Sequence, residues 1–278
     1  MGRNRGFTLV ELIIVIVLLA ITGLFVFNYL GFGAQIFRDT AERDQLVSQS
    51  RFAVNRLASE LRNSVPRSVR VSITDNQRCV EFIPILASSQ YLDIPRPGST
   101  GNNPFIAIAP TTSQSLVGGY LFVYATNSSY IYGGSNQRRK VVTNISPVAP
   151  AQDNVVEIEY STNPSFFGAE SPARRYYIGG EPVSWCYDDV RNALFRYAGY
   201  GLTITQPSLN ALQVSAATSA ELMAENLFND LGANEFPFYQ FEATLQRNNL
   251  VQVDWRFSRT ADQEPLQLLH EVHIPNVP

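Results

Sequence analysis

The sequence predicts an α+β fold: one long N-terminal α-helix packed on a C-terminal, mainly antiparallel β domain. Three observations carry this. Residues 7–27 form an apolar run in which Glu11 is the one charge, and as a helix they span roughly 30 Å, the thickness of a bilayer core. Leu46, Ser50, Ala53, Leu57 and Leu61 then recur at three- and four-residue steps, with Val54 widening the stripe, so the helix continues with one apolar face. After Pro66 the period changes to two, in short β-branched and aromatic segments separated by Gly, Pro, Asn and Asp.

The elements follow in order. Residues 1–6 are a short basic leader with Arg3 and Arg5, residues 7–65 the helix, with 7–27 its transmembrane part, and residues 66–278 the β domain. Gly23, Gly31 and Gly33 each weaken the helix by about 1 kcal/mol relative to alanine; they are either bending points or the ordinary glycines of a membrane helix. Arg38, Asp39, Glu42, Arg43, Arg56, Glu60 and Arg62 decorate the polar side. Pro66 disfavours helix at the residue before it, which makes Ser64 or Val65 the last helical residue. Strands are expected over 69–73, 79–86, 119–125, 141–145, 155–160, 175–178, 183–187, 193–197, 236–245, 250–257 and 267–274. Pro84 marks an edge strand or bulge within 79–86. Residues 95–104, 126–139 and 163–172 read as loops, the second of them a possible hairpin tip, and residues 188–192 as a hairpin turn. Thr218 and Glu221 have capping-box spacing and predict a short helix or turn to about Leu227. Asn248-Asn249 suits a tight turn between the last two long segments.

The order of parts at the N-terminus is informative. A secretory signal runs basic, apolar, small-residue cut site, and loses its apolar part. Here Gly6 precedes the apolar run. A cut after Gly6 keeps the helix and places a new amine on Phe7, one helical turn from Glu11. A carboxylate in a membrane span calls for a partner. Gly6-Phe7-Thr8-Leu9-Val10-Glu11 with the run behind it resembles the class III signal of type IV prepilins and type II secretion pseudopilins. The resemblance implies that a prepilin peptidase cuts after Gly6 and methylates the amine of Phe7. It also implies that Glu11 pairs with the amine of a neighbouring subunit during filament assembly.

The remainder resembles the J-type pseudopilins, on Gln49-Ser50-Arg51-Phe52-Ala53-Val54 leading into Arg56-Leu57-Ala58-Ser59-Glu60-Leu61-Arg62, Trp185-Cys186-Tyr187 set against Leu194-Phe195-Arg196-Tyr197, and Leu222-Met223-Ala224-Glu225-Asn226-Leu227. With Gly33-Ala34-Gln35-Ile36-Phe37 and Cys79-Val80-Glu81-Phe82-Ile83-Pro84-Ile85-Leu86-Ala87, it is most similar to the O-type minor pilins of mannose-sensitive haemagglutinin (MSHA) pili. What the resemblance implies is a structural, assembly-priming subunit of a pilus or secretion pseudopilus. Its implied partners are the major pilin, I- and K-like minor pilins, the inner-membrane assembly platform and, before assembly, membrane lipid. Arg3 and Arg5 hold the N-terminus on the cytoplasmic side and send the rest outward, into a compartment that is oxidising in a bacterium.

There Cys79 and Cys186, each in an expected strand, predict a disulfide; the alternative is a pair of buried thiols behaving as small apolar residues. No catalytic set is present: there is no G-x-S-x-G and no phosphate-binding loop. His270 and His273 form H-x-x-H on an expected strand, where positions three apart face opposite ways and cannot share an ion. Asp188-Asp189 reads as a solvated turn, with calcium the sharper alternative. Arg138-Arg139-Lys140 reads as a solvated basic loop, with an acidic partner subunit the sharper alternative. With Lys140 the only lysine and a net charge of −3, no nucleic-acid surface is expected, and no cofactor or metal. The rival functional class is a tip adhesin whose β domain binds a glycan or surface.

Overall fold

A computed structural model describes residues 8–98, 104–161, 163–241, 249–258 and 265–275. The chain divides into two compact units, Met1–Gln49 and Ser50–Pro278, and α1 (Leu9–Arg62) begins in the first and ends in the second.

Over its most apolar 18-residue window the helix has a mean hydropathy of 3.0 and none of that window is buried, and after Glu11 charged residues enter only from Arg38 onward. It is long and apolar enough to cross a membrane. Two of its hydroxyls are satisfied internally, Thr22 Oγ1 donating to the carbonyl of Leu18 at 2.9 Å and Thr40 Oγ1 to that of Ile36 at 2.8 Å. That answers the demand an apolar solvent makes of a polar group. The helix runs on through Gly23, Gly31 and Gly33, and a methyl group at any of them would meet nothing within 4 Å.

In the second unit the end of α1 buries Ser50, Ala53, Val54, Leu57, Ala58 and Leu61, the expected stripe. The helix stops at Arg62, ahead of Ser64 and Val65, because those residues are claimed by a strand-like pairing. Ser64 bridges Pro84, and the Val65 amide donates to the carbonyl of Ile83 at 2.8 Å.

Strand β1 (Arg70–Val71) is shorter than the expected 69–73, since Ile73–Asp75 turns into a 3-10 helix and leaves Ile73 80% exposed. It pairs with β2 (Cys79–Phe82). The expected single strand over 79–86 is two. Pro84 has no N–H to continue the ladder, and after it β3 (Ile85–Asp93) enters a different sheet. With β4 (Phe105–Ile108), β5 (Tyr120–Phe122), β6 (Arg139–Pro147), β7 (Val155–Tyr160) and β8 (Arg175–Gly179) it forms a closed barrel in the order β3-β4-β7-β6-β5-β8. Closure leaves the barrel without an open edge. Tyr91, Phe105, Phe167 and Tyr176 fill it, with Phe105 in ring contact with the other three at 5.5 to 5.8 Å. A short helix, α2 (Ser128–Tyr132), occupies the β5–β6 connection, capped by Asn127.

The chain then returns to the first sheet. β9 (Val183–Asp188) pairs with β2, and β10 (Ala193–Ala198) follows through the expected hairpin. After α3 (Leu209–Val214) comes β11 (Ser219–Glu225), which completes a sheet of order β1-β2-β9-β10-β11. The helix or turn expected over 218–227 is therefore a strand. The capping spacing is there, but pairing of Ser219 to Glu225 along β10 outweighs it, tertiary context overriding a local signal. The barrel is an insertion between β2 and β9, neighbours whose last pair is Phe82 with Val183. Its return passes Gly179, where a Cβ would lie 2.6 Å from Ile83 Cγ2 and 3.0 Å from Val65 Cγ2; only glycine lets the strand sit that close.

Finally β12 (Phe238–Phe241), β13 (Asn249–Phe257) and β14 (Leu266–Ile274) form a three-stranded antiparallel sheet. The Asn248-Asn249 turn is corrected. Asn249 lies inside β13 opposite Ile274, and Phe241 pairs with Leu250, so no two-residue turn at 248–249 fits that register; residues 242–248 lie outside the described residues. Val251, Val253, Trp255 and Phe257 are all 0% exposed and share one core with Leu57 and Leu61 of α1 and Val80, Phe82 and Trp185 of the larger sheet.

Candidate functional site

Gly6 and Phe7, the expected cleavage and methylation site, lie outside the described residues. The next turn is described. Glu11 N–H donates to Thr8 Oγ1 at 3.3 Å, and Glu11 Oε2 accepts from Thr8 N–H at 3.5 Å. This is a reciprocal capping box, Thr8 at the N-cap and Glu11 three residues on. It satisfies two of the amides that a helix start leaves without partners, which matters most where no water can replace them. Sequence reading gave Glu11 a role and overlooked Thr8, although T-x-x-E before an apolar run was legible. The carboxylate is thereby held at the positive end of the helix dipole. Behind it Leu12, Ile16, Leu19 and Phe25 are each at least half exposed among the described residues.

The other sequence candidates lie in the second unit. Cys79 and Cys186 are direct cross-strand partners on β2 and β9, Cα atoms 4.1 Å apart and sulfurs bonded. His270 and His273 are both on β14. His270 is half-buried on the Val272 side and His273 exposed on the other, so they do not converge. Asp188 is buried, not solvated. Its Oδ1 accepts from the Val190 and Arg191 amides at 3.0 and 3.1 Å and its Oδ2 from Gln213 at 2.8 Å, while Asp189 binds Arg78 at 2.7 Å. Those oxygens are committed to organising the hairpin. Among the described residues no group of three or more His, Cys, Asp or Glu is placed to hold a metal ion.

The basic cluster is also corrected. Arg138 lies over the rings of Tyr124 and Tyr130, Arg139 donates to the Ile131 carbonyl and to Asn136, and Lys140 is 0% exposed. The Lys140 amine donates to the carbonyls of Asn136 and Pro164 and sits over Tyr160 and Phe167. Burial pulls it down from 10.5 to about 8, the expected direction for an amine removed from water. The aromatic surround made a solvated loop untenable, and the rings over Lys140 come from residues 20 or more positions away.

Two further constellations were missed. Glu60, read as surface decoration, receives Arg56 Nε at 2.6 Å and both Trp185 Nε1 and Arg196 Nε at 3.1 Å. Glu81 is fully buried, bound by Arg70 Nε at 2.6 Å and Tyr200 at 3.2 Å; desolvation pushes its carboxyl up despite the guanidinium. Arg70 lies 3.6 Å from the Tyr132 ring centroid and ties down the carbonyls of Thr203 and Ile204. Both networks fix loops and elements to one another.

The family model for the prokaryotic N-terminal methylation motif matches residues 1–27. No curated protein and no solved structure matches the chain. Residues 1–27 thus carry a methylation motif and open a membrane-length helix, and together these support a type IV pilin or pseudopilin, a subunit processed by prepilin peptidase and assembled with other pilins.

Proposed function

We propose that the protein is a minor pilin or pseudopilin that primes assembly of a type IV pilus of the MSHA kind or a type II secretion pseudopilus. The observation that carries this reading is the methylation motif at the head of a helix long and apolar enough to cross a membrane. Prepilin peptidase cuts after Gly6 and methylates Phe7. The helix then leaves lipid for a filament core of like helices, exchanging one apolar surround for another, so association rests on packing. In that low-dielectric core the Phe7 amine of one subunit and the Glu11 carboxylate of its neighbour attract strongly and set axial register. Before assembly the N-terminus is cytoplasmic and the β domain periplasmic, and the β domain meets I- and K-like partners in a tip complex.

N-terminal mass spectrometry of the mature protein tests it: the expected species begins at N-methylated Phe7, and an intact Met1 start in a piliated strain overturns the reading. A second reading is a tip adhesin whose β domain binds a glycan or surface. A deletion strain separates them. Absent pili indicate assembly, and normal pili with lost attachment indicate adhesion.

A further inference from the structure

The two open sheets have four end strands. β1 and β12 face each other, bridged by Gln240, which donates to the Val69 carbonyl at 2.8 Å and accepts from the Val71 amide at 3.0 Å. β11 is broken by a register shift opposite Leu194 and Phe195. β14 carries no such break. Its nine residues pair with β13 without a bulge and include no Lys or Pro, the usual protections of an exposed edge. The direction of its unused backbone groups follows from β13. The Asp254 amide donates to the Pro237 carbonyl at 3.1 Å, and the Arg256 carbonyl accepts from the Phe228 amide at 2.8 Å. Even-numbered residues of β13 thus turn their backbone away from β14, and the odd-numbered ones turn toward it. Val251, Val253 and Trp255 stand opposite Val272, His270 and Leu268. Alternation therefore leaves the N–H and C=O of Gln267, Leu269, Glu271 and His273 aimed at the free edge, without a partner among the described residues. The side chains of the same four are exposed, that of Leu269 at 58%.

We propose that β14 is an interaction surface for a second copy of this chain, the two strands pairing antiparallel about a two-fold axis at Leu269. An unpaired edge takes up an extended strand through its backbone, and here the side chains fit that strand to itself. A two-fold makes such a contact self-complementary, and an axis through a residue sets odd positions against odd ones, so the free groups meet. With the axis at Leu269, its exposed side chain packs on Leu269 of the second copy. Gln267 then lies opposite Glu271 of the second copy. One N–H of the Gln267 amide is committed to Asp254 at 2.9 Å, and the other is left for that carboxylate. On the other face Leu266 meets Val272 and Leu268 meets His270. Competing registers fit worse. An axis at His270 sets Leu269 against a carboxylate and brings the two Glu271 side chains together diagonally. An axis at Glu271 puts like charges directly opposite, which destabilises a strand pair. Axes nearer either end shorten the pairing. A strand pair alone falls short of the about 1,000 Å² of a stable interface, so the association is reversible and depends on concentration. The inference stands on the edge of the β domain and does not rest on the pilin reading.

The test is thiol cross-linking of the full chain in detergent micelles with a methylene-bridged bis-thiosulfonate, read on non-reducing gels. Cys79 and Cys186 are bonded to each other, so an introduced cysteine is the one free thiol. Directly opposed residues hold their Cβ atoms about 4.5–5.5 Å apart, within the reagent's reach. Leu269→Cys is expected to give a covalent dimer. Gln267→Cys and Glu271→Cys are each expected to stay monomeric, because each lies four residues, about 13 Å, from its own copy. Mixed together, those two variants should cross-link. Glu271→Pro added to Leu269→Cys should lower the dimer yield about tenfold, the loss of one hydrogen bond or more. Its melting temperature should hold, since the N–H removed points at the free edge and not at β13. Should that variant melt early, the mixed pair still decides the register. Four outcomes overturn the proposal: Leu269→Cys remaining monomeric, no cross-link in the mixture, a folded Glu271→Pro variant that dimerises undiminished, or all three single cysteines cross-linking alike, as association through α1 alone would give.

Discussion

Lys140 is the single lysine of the chain and, like Glu81, is 0% exposed. In the native protein an amine-acylating reagent should modify the N-terminal amine alone, and Lys140 only after unfolding; peptide mass mapping checks this. Its depressed value also gives a pH dependence. Between about pH 8 and 10 the unfolded lysine holds a proton that the folded one has shed, so stability rises with pH. Above pH 10 the buried tyrosines reverse the trend. Tyr160, Tyr176 and Tyr187, raised to about 12 by burial, keep protons that the unfolded chain loses. Urea unfolding followed by tryptophan fluorescence should show this maximum, and the rise should vanish in Lys140→Met. Glu11→Ala should leave membrane insertion intact or ease it, since a charge is removed from the span, while recovery of the protein in sheared filaments falls. Glu11 was legible because a carboxylate stands out in an apolar run. Lys140 was not, because its neighbours in sequence are arginines and its neighbours in space are Tyr160 and Phe167.

Among the elements, the helix and the long alternating segments were readable and the corners were not. The stripe from Ser50 to Leu61 and the stripe from Val251 to Phe257 announce their buried faces through period alone. The 218–227 segment failed because a capping signal and a strand signal coexist there, and the deciding partner, β10, lies more than twenty residues earlier. Pro84 was seen as an interruption, but that it hands the chain from one sheet to another depends on which strands close the barrel. Glu60 shows how an element's polar side can matter as much as its apolar one. Glu60→Ala removes the acceptor for Trp185 and Arg196 and should destabilise by about 2 kcal/mol. Arg56→Ala loses only an exposed pair one turn away and should cost about 0.5 kcal/mol or less. Urea midpoints at unchanged slope would measure both.

At the scale of the whole molecule, the α+β class followed from the change of period at Pro66, whereas two open sheets and a barrel inserted between paired neighbours followed from long-range register that no local signal encodes. The Cys79–Cys186 bond closes the foot of that insertion, joining residues 107 apart. On chain-entropy grounds it contributes about 4.7 kcal/mol, less any strain, and a double serine variant should unfold at correspondingly lower urea. The position of the bond has a mechanical consequence. Tension entering through the N-terminal helix and leaving through β13 and β14 would otherwise run through every residue of the barrel. The disulfide short-circuits that route, passing the load from β2 directly to β9. Stretched between its ends, the oxidised protein should withhold the 107-residue segment, and reduction should add about 350–390 Å of extension. The barrel thus rides as slack on a taut line, free to keep its shape while the chain around it is pulled.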